Sequence, residues 1–324
     1  MGFLNSLAGM VAMVMVAFSH ARTAKNVSLD LLPWNPLPVI LPQAVCADLV
    51  AWVPPQSDPA IVMQVVSGPY VNVESNFIYW MERKTSFTRN HLYLLCLDDD
   101  SRHFIESSMG IRCLPLSAFN ISQNRQIWIL RVRVVSCLVR AGYDVIMSDA
   151  DALWLADPMK DFSLPGVVDS SIVAARGMYP FDLAKAWGVT ICMGFVLFRG
   201  TASRTAMGKF LSVMNALVLE SMDDQIAVNM AARALGIVWD EEGSDMLYEE
   251  STGLGVATID SLTDEDNRLF TVTLLPHSTY TRMCNRTPVS NTTVVAHCMS
   301  KKTPGCKRDW MHSMDLWSVD EDTR

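Results

Sequence analysis

The chain contains no Cys-x-x-Cys pair and no His-x-x-x-His spacing, which removes the usual ligand patterns of a structural zinc site. Charge is scarce as well: 19% of the 324 residues are Asp, Glu, Lys or Arg, against 50% hydrophobic. A chain this apolar can bury a large core, so disorder is excluded as its default state. Its 26 Lys and Arg, outnumbered by 34 Asp and Glu, form no cluster on a predicted surface face. Nucleic acid and other polyanions therefore have no electrostatic footprint here. No repeat or low-complexity tract is visible. A net charge of −8 suits a protein that recruits a metal cation to meet an anionic ligand.

A basic segment ahead of the first apolar run is also missing. Residues Gly2 to Phe18 carry no charge, and the small and polar stretch Ser19-His20-Ala21-Arg22-Thr23-Ala24 follows. About 16 apolar residues are short for a membrane span. The nearest positive charges, Arg22 and Lys25, come after the run, so residues 1–25 read as a signal peptide, with a short signal-anchor and membrane tether as the alternative. Residues 26–60 are proline-rich and read as an extended stem, with the folded body expected over 61–324. Asn-x-Ser/Thr sequons at Asn26, Asn120, Asn285 and Asn291 agree with export, and the secretory pathway, the Golgi lumen in particular, is the expected location. The eight cysteines are spread along the chain. Cys96, Cys137 and Cys192 lie in apolar runs and read as packed thiols, whereas Cys284, Cys298 and Cys306 lie in loop-like sequence where a disulfide is expected.

From Ile61 onward strand-like and helix-like segments alternate. The pattern predicts an α/β fold with a mainly parallel, Rossmann-like sheet and helices on both faces. A long helix is expected from about Gln123 to Arg140, with Ile127, Leu130, Val134 and Leu138 on one stripe and Arg125 and Arg133 pointing elsewhere. Arg131 falls inside the stripe. It is either a snorkelling arginine or a cation on the sheet side of the helix, aimed at a phosphate.

That helix leads into Tyr143-Asp-Val-Ile-Met-Ser-Asp-Ala-Asp-Ala-Leu-Trp, an apolar strand that stops on Asp149 and Asp151. In an open α/β sheet ligands bind at the carboxyl ends of strands. Two carboxylates buried there without a partner would be costly, and a divalent cation relieves the cost by taking oxygen ligands from both.

The segment Leu138-Val-Arg-Ala-Gly-Tyr-Asp-Val-Ile-Met-Ser-Asp-Ala-Asp-Ala-Leu-Trp-Leu-Ala-Asp-Pro resembles the nucleotide-diphospho-sugar transferase family. Within that family it is similar to retaining glycosyltransferases of the rhamnogalacturonan xylosyltransferase and extensin arabinosyltransferase type. Cys192-Met-Gly-Phe-Val-Leu-Phe-Arg-Gly-Thr, Asp223-Asp-Gln-Ile-Ala-Val-Asn and the stretch from His297 through Gly305 and Lys307 to Leu316-Trp317 extend the likeness over roughly residues 61–317. The resemblance implies a GT-A catalytic domain and a nucleotide-sugar donor, usually a UDP-sugar. It further implies a carbohydrate or glycoprotein acceptor and a Mn²⁺ or other divalent cation between the carboxylates and the pyrophosphate. On it, Asp149, Asp151 and His297 hold the metal, and Asp149, Arg131, Lys307, Ser67 and Gly68 hold the donor. Asp224 and Gln225 face the reacting sugar. Cys192 stands where the family often has asparagine, and Arg131 where it usually has lysine.

Plainer readings stand beside these. Asp157-Pro158 is a turn, Asp98 to Asp100 cap a helix, and His277 is structural. Ser221-Met222-Asp223-Asp224 has capping-box spacing, which would explain Asp224 without chemistry. Thr303-Pro304-Gly305 reads as a turn within a lid running from His297 to Lys307. Two other functions remain open at this point. One is a haloacid-dehalogenase-type phosphohydrolase, whose motif wants Thr or Val where Leu153 stands. The other is a non-catalytic glycan-binding protein on a degenerate transferase fold.

Overall fold

Helix α1 (Gln43–Ala51) precedes a regular alternation of β1 (Ala60–Val66), α2 (Val71–Lys84), β2 (Leu92–Cys96), α3 (Asp99–Met109), β3 (Cys113–Pro115), α4 (Gln126–Ala141) and β4 (Asp144–Ser148). The computed structural model describes residues 43–53, 60–115, 126–201, 204–240, 245, 246, 248, 251–263, 268–282, 284, 288–298 and 303–319, which fall in one unit, Val39–Arg324. A second unit, Met1–Pro38, lies outside the described residues, and with it the leader and the sequon at Asn26. The sequons at Asn120 and Asn285 also lie outside, while Asn291 is exposed. Among the described residues no helix is long and apolar enough to cross a membrane.

Strands β3-β2-β1-β4 pair in parallel. Burial on both faces explains why β1 is nearly continuous apolar sequence. The chain continues through β5 (Leu153–Trp154), α5 (Met159–Phe162), β6 (Ile172–Gly177), α6 (Phe181–Trp187), β7 (Thr190–Phe198), α7 (Arg204–Ser221) and α8 (Asp224–Ala234). After these come β8 (Val238–Trp239), β9 (Gly255–Thr263), β10 (Leu269–Leu274), β11 (Tyr280–Thr281), β12 (Val295–Ala296) and α9 (Pro304–Ser313). The main sheet runs β3-β2-β1-β4-β7-β6-β10-β9-β8, and a small sheet runs β11-β12-β5. Strand β7 lies antiparallel between β4 and β6, which therefore point the same way.

Helices α4, α7 and α8 pack together on one face of the large sheet, and α1 packs on α4. On the other face α2, α3, α9 and the small sheet share one core with the strands. Trp154 sits within that core, edge-on to Phe77, Phe87 and Phe195 at 5.7, 5.3 and 5.8 Å. The start of β4 is clasped to the end of β7. Asp144 accepts hydrogen bonds from the amides of Gly200 and Thr201 and from the Thr201 hydroxyl (2.9, 3.0 and 2.9 Å), and Arg199 pairs with its carboxylate at 3.6 Å. Gly200 is required there, since a Cβ would stand 2.2 Å from the Tyr143 carbonyl oxygen.

Three expectations are corrected. The folded body begins upstream of Ile61: part of the proline-rich stretch is helix α1, joined to α4 by the Cys46–Cys137 disulfide. Cys96 and Cys137 are half-cystines, not thiols, with Cys96 bonded to Cys113 on the neighbouring strand. A half-cystine buries as readily as a thiol, so an apolar run does not separate the two. The expected disulfide among the C-terminal cysteines is Cys284–Cys298, and Cys192 and Cys306 are free. Arg133, expected to point away from the core, is buried in α4. Asp98 caps α3 as expected, accepting from the Ser101 amide at 2.7 Å.

Glu74 on α2 is wholly buried and neither carboxylate oxygen has a hydrogen-bond partner among the described residues. Burial raises its pKa to about 8. The folded value exceeds the unfolded one, so the stabilising contribution is complete at acid pH and is lost as pH rises towards about 8. Glu74→Gln should remove this slope and be more stable than wild type at pH 8, by on the order of 3 kcal/mol. Denaturant melts at acidic and mildly alkaline pH read this directly, and parallel pH profiles for the two proteins would contradict it.

Candidate active site

Strand β4 delivers Ser148 to the edge of the sheet, and the chain then turns: the Ala152 amide donates to the Asp149 carbonyl at 2.9 Å. Trp154, one turn on, is buried and donates its indole N–H to Ser148 Oγ at 3.2 Å, which pins the turn from beneath. Strand β5 pairs antiparallel with β12, Leu153 opposite Ala296 and Trp154 opposite Val295. This register sets the next residue, His297, against the turn. Its backbone amide donates to the Thr281 carbonyl of β11 at 2.9 Å.

His297 Nε2 lies 3.7 Å from Asp149 Oδ2 and 3.6 Å from Asp151 Oδ1. One ligand atom from each of Asp149, Asp151 and His297 falls within 4.8 Å of the other two, a spacing one cation can span. Lys307, in the first turn of α9, reaches Asp151 with its ammonium group. The turn expected at Thr303-Pro304-Gly305 is the start of that helix, with Thr303 as its N-cap. Residues 299–302 of the expected lid lie outside the described residues.

The electrostatics follow from this crowding. Burial works to raise the Asp151 pKa, but His297 and Lys307 hold it well below the usual carboxylate range. Burial works to lower the His297 pKa, yet Asp151 raises it to about 9 against the opposing charge of Arg282. Asp149, Asp151, His297 and Lys307 thus form a cluster of two anions and two cationic groups. The donor set, two carboxylates and one imidazole at a strand end, fits a hard or borderline divalent metal.

Arg131 is buried on the sheet side of α4 and bridges two carboxylates, Asp149 at 3.2 Å and Asp224 at 3.3 Å. The cap of α8 is Asp223, which accepts from the Ile226 amide at 2.9 Å. Capping therefore accounts for Asp223, while Asp224 is held by Arg131. Burial pushes the Asp224 pKa up to about 6, with Arg131 opposing and Asp149 and Asp223 adding to the rise. Gln225 is committed to backbone: Nε2 donates to the Tyr179 carbonyl at 2.8 Å and to that of Ile191, and Oε1 accepts from the Met193 amide at 2.8 Å. Ser67 and Gly68 follow β1, and the Gly68 amide donates to the Asp98 carboxylate at 2.8 Å.

Arg282 and Tyr70 escape a reading of the sequence, and Cys192, which stands where the family often has asparagine, joins them near the cluster. Arg282 stands one residue past β11, as His297 stands one residue past β12, and its guanidinium lies 2.8 Å from the Cys192 sulfur. Parallel strands end on the same side, a signal that could have found it. Cys192 faces His297 and Arg282; burial works to raise its thiol pKa, but Arg282 and His297 bring it below the ordinary value. Tyr70 is close enough to Asp151 and Asp149 for both charges, after burial, to raise its hydroxyl pKa. His277 is structural, accepting the Arg282 amide at 3.0 Å.

At this strand end two carboxylates and an imidazole, flanked by cations, form a group that could hold a metal ion. The family can be named: residues 89–307 match the model of nucleotide-diphospho-sugar transferases, and the chain belongs to that family. The phosphohydrolase alternative falls with this assignment. Among solved structures the chain is similar to the glycosyltransferase GlyE of Streptococcus pneumoniae, at 12% identity and a TM-score of 0.47 over 82% of this chain and 61% of that one. It is also similar to the galactosyltransferase LgtC in complex with donor and acceptor sugar analogues, at 13% identity and a TM-score of 0.41 over 81% and 98%. A third similarity is to mouse xyloside xylosyltransferase 1, at 13% identity and a TM-score of 0.33 over 53% and 81%. The chain spans less than two thirds of the length of GlyE. No curated protein matches it.

Gly194 on β7 completes the site by what it lacks. A Cβ there would stand 2.2 Å from His297 Cε1 and 2.8 Å from Asp149 Oδ2. Gly194→Ala should therefore displace the imidazole and weaken metal-dependent nucleotide binding by about tenfold or more, a loss of roughly 1.4 kcal/mol. Titration of UDP in the presence of Mn²⁺ tests this, and wild-type affinity in the variant would contradict the packing described.

Proposed function

We propose that the chain is a metal-dependent, retaining glycosyltransferase that moves a sugar from a UDP-sugar to a carbohydrate or glycoprotein acceptor in the lumen of the secretory pathway. The observation that supports it best is the convergence of Asp149, Asp151 and His297 within 4.8 Å, with Lys307 and Arg131 at the same carboxylates. A divalent cation such as Mn²⁺, when bound, neutralises the diphosphate as it departs. Asp149, Asp151 and His297 would hold that cation. Lys307 and Arg131 would exchange part of their pairing with the aspartates for the phosphate oxygens, so the site is charge-balanced before and after the donor enters.

In transfer, the bond from the anomeric carbon to the phosphate oxygen breaks with its electron pair going to phosphate, and the acceptor oxygen bonds to that carbon and gives up its proton. Asp224 is assigned to the sugar side of the site, held by Arg131 and not by the helix cap. Retention follows either from Asp224 attacking first and forming a glycosyl ester, whose bond the acceptor oxygen then breaks while its proton passes to the departed phosphate, or from front-face attack with the leaving phosphate taking the proton. Both amide donors of Gln225 are engaged by carbonyls, so its assigned role is to position β7 and the Tyr179 loop, not to touch the sugar. Ser67 and Gly68 are assigned to shaping the donor side of the cleft, with Tyr70 the nearer group.

UDP affinity should depend on Mn²⁺ and fall at least about tenfold in Asp151→Asn. Calorimetry with and without chelator measures it, and equal affinity in all three conditions would sink the metal site. For the acid pair, Asp223→Ala should cost about 1 kcal/mol of stability and leave transfer intact. Asp224→Asn should keep UDP affinity and lose transfer; turnover close to wild type in the folded variant would return Asp224 to a structural role.

A further inference from the structure

Strand β6 ends at Gly177 on the same side of the sheet as Asp149, because β4 and β6 are both antiparallel to β7. The next residues leave apolar surface in water: Met178 is 36% exposed, Tyr179 40% and Phe181 72%, with the two rings edge-to-face at 5.6 Å. Single exposed apolar residues are ordinary, but a contiguous aromatic pair beside a candidate active site is not. The loop is tied to that site. The Tyr179 carbonyl accepts from Gln225 Nε2 at 2.8 Å and from Thr190 Oγ1 at 2.9 Å, and Gln225 adjoins Asp224. Gly177 permits the approach, since a Cβ would stand 2.8 Å from Thr190 Oγ1 and 3.2 Å from Gln225 Nε2.

Resting on the transferase reading, we propose that Tyr179 and Phe181 form the platform on which the acceptor saccharide stacks, with its reacting hydroxyl directed to the Asp224 side of the cleft. A neutral sugar ring has an apolar C–H face and a rim of hydroxyls. It can cover an aromatic ring with the first while leaving the second hydrated, and so gains burial at little desolvation cost. Asp182, exposed beside Phe181, supplies an acceptor for sugar hydroxyls, and it and Asp223, whose charge reaches the Tyr179 hydroxyl, repel an anionic ligand. The donor diphosphate is accordingly excluded from the ledge and belongs at Lys307 and Arg131. A neutral glycan fits it better than a peptide or a lipid surface, because the patch is shallow, short and bordered by carboxylates.

The test is saturation-transfer NMR and titration with neutral oligosaccharides, namely xylobiose, cellobiose, lactose and mannobiose, on the wild type, Tyr179→Ala, Phe181→Ala and Phe181→Trp. At least one sugar should bind, receive saturation on its ring C–H protons, weaken about tenfold in each alanine variant and recover in Phe181→Trp. Thermal melts confirm that the variants fold. No binding by the wild type, or affinities unchanged by the alanine substitutions, overturns the ledge. So does a self-association lost in Phe181→Ala, or capture of an apolar peptide or detergent in place of sugars. UDP with Mn²⁺ is titrated in parallel on the wild type. Its failure to bind overturns the transferase reading, whereas normal UDP binding with unaltered glycan affinity overturns the ledge alone.

Discussion

Two carboxylates separated by one residue at the buried end of a strand repel each other and lose their water. The architecture around Asp149 and Asp151 answers that cost from several directions. Lys307 comes from the C-terminal helix, Arg131 from the long helix on the opposite face, and His297 from a short strand of the small sheet. Lys307 and His297 come from one face of the main sheet and Arg131 from the other. The aspartate turn is therefore the place where the two faces of the molecule are electrostatically joined.

The small sheet explains why so short a set of pairings suffices. Strand β5 contributes only two residues, yet Trp154 anchors it among three aromatic rings, and its register with β12 decides which residue faces the turn. A slip of one residue would point His297 to the other side. Strand β7 works from the opposite direction: the Asp149 amide donates to the Gly194 carbonyl at 2.9 Å, and the missing side chain at Gly194 leaves the room that His297 fills. Position is thus set by register on one side and by the absence of atoms on the other.

Much of this was legible because it is contiguous. The strand, the aspartate pair and the buried tryptophan occupy one short run, and the alternation of apolar segments announced the layered fold. Distant partners were harder to read. Arg282 and Cys192 meet only after β11 and β7 are placed, a pairing that no local pattern marks. The spacing of Asp223 and Asp224 revealed a helix start but not which carboxylate caps it, a matter of backbone geometry at Asp223. Helix α1 was hidden by its proline-rich surroundings, although Gln43–Ala51 itself contains no proline. The disulfides of Cys96 and Cys137 were missed because burial, the only local cue, is common to both states of sulfur.

The order in which the ligands occur along the chain has a biosynthetic consequence. A chain emerging from the ribosome forms the parallel strands and the aspartate turn first, from neighbouring segments. His297 and Lys307 arrive only with the last strands and the final helix, and His297 adjoins Cys298, which is tied to Cys284. Until those segments are in place the two carboxylates have Arg131, and later Arg282, as buried counter-charges. The cluster of Asp149, Asp151, His297 and Lys307 is therefore assembled late, from a segment in which Cys284 and Cys298 are already side by side.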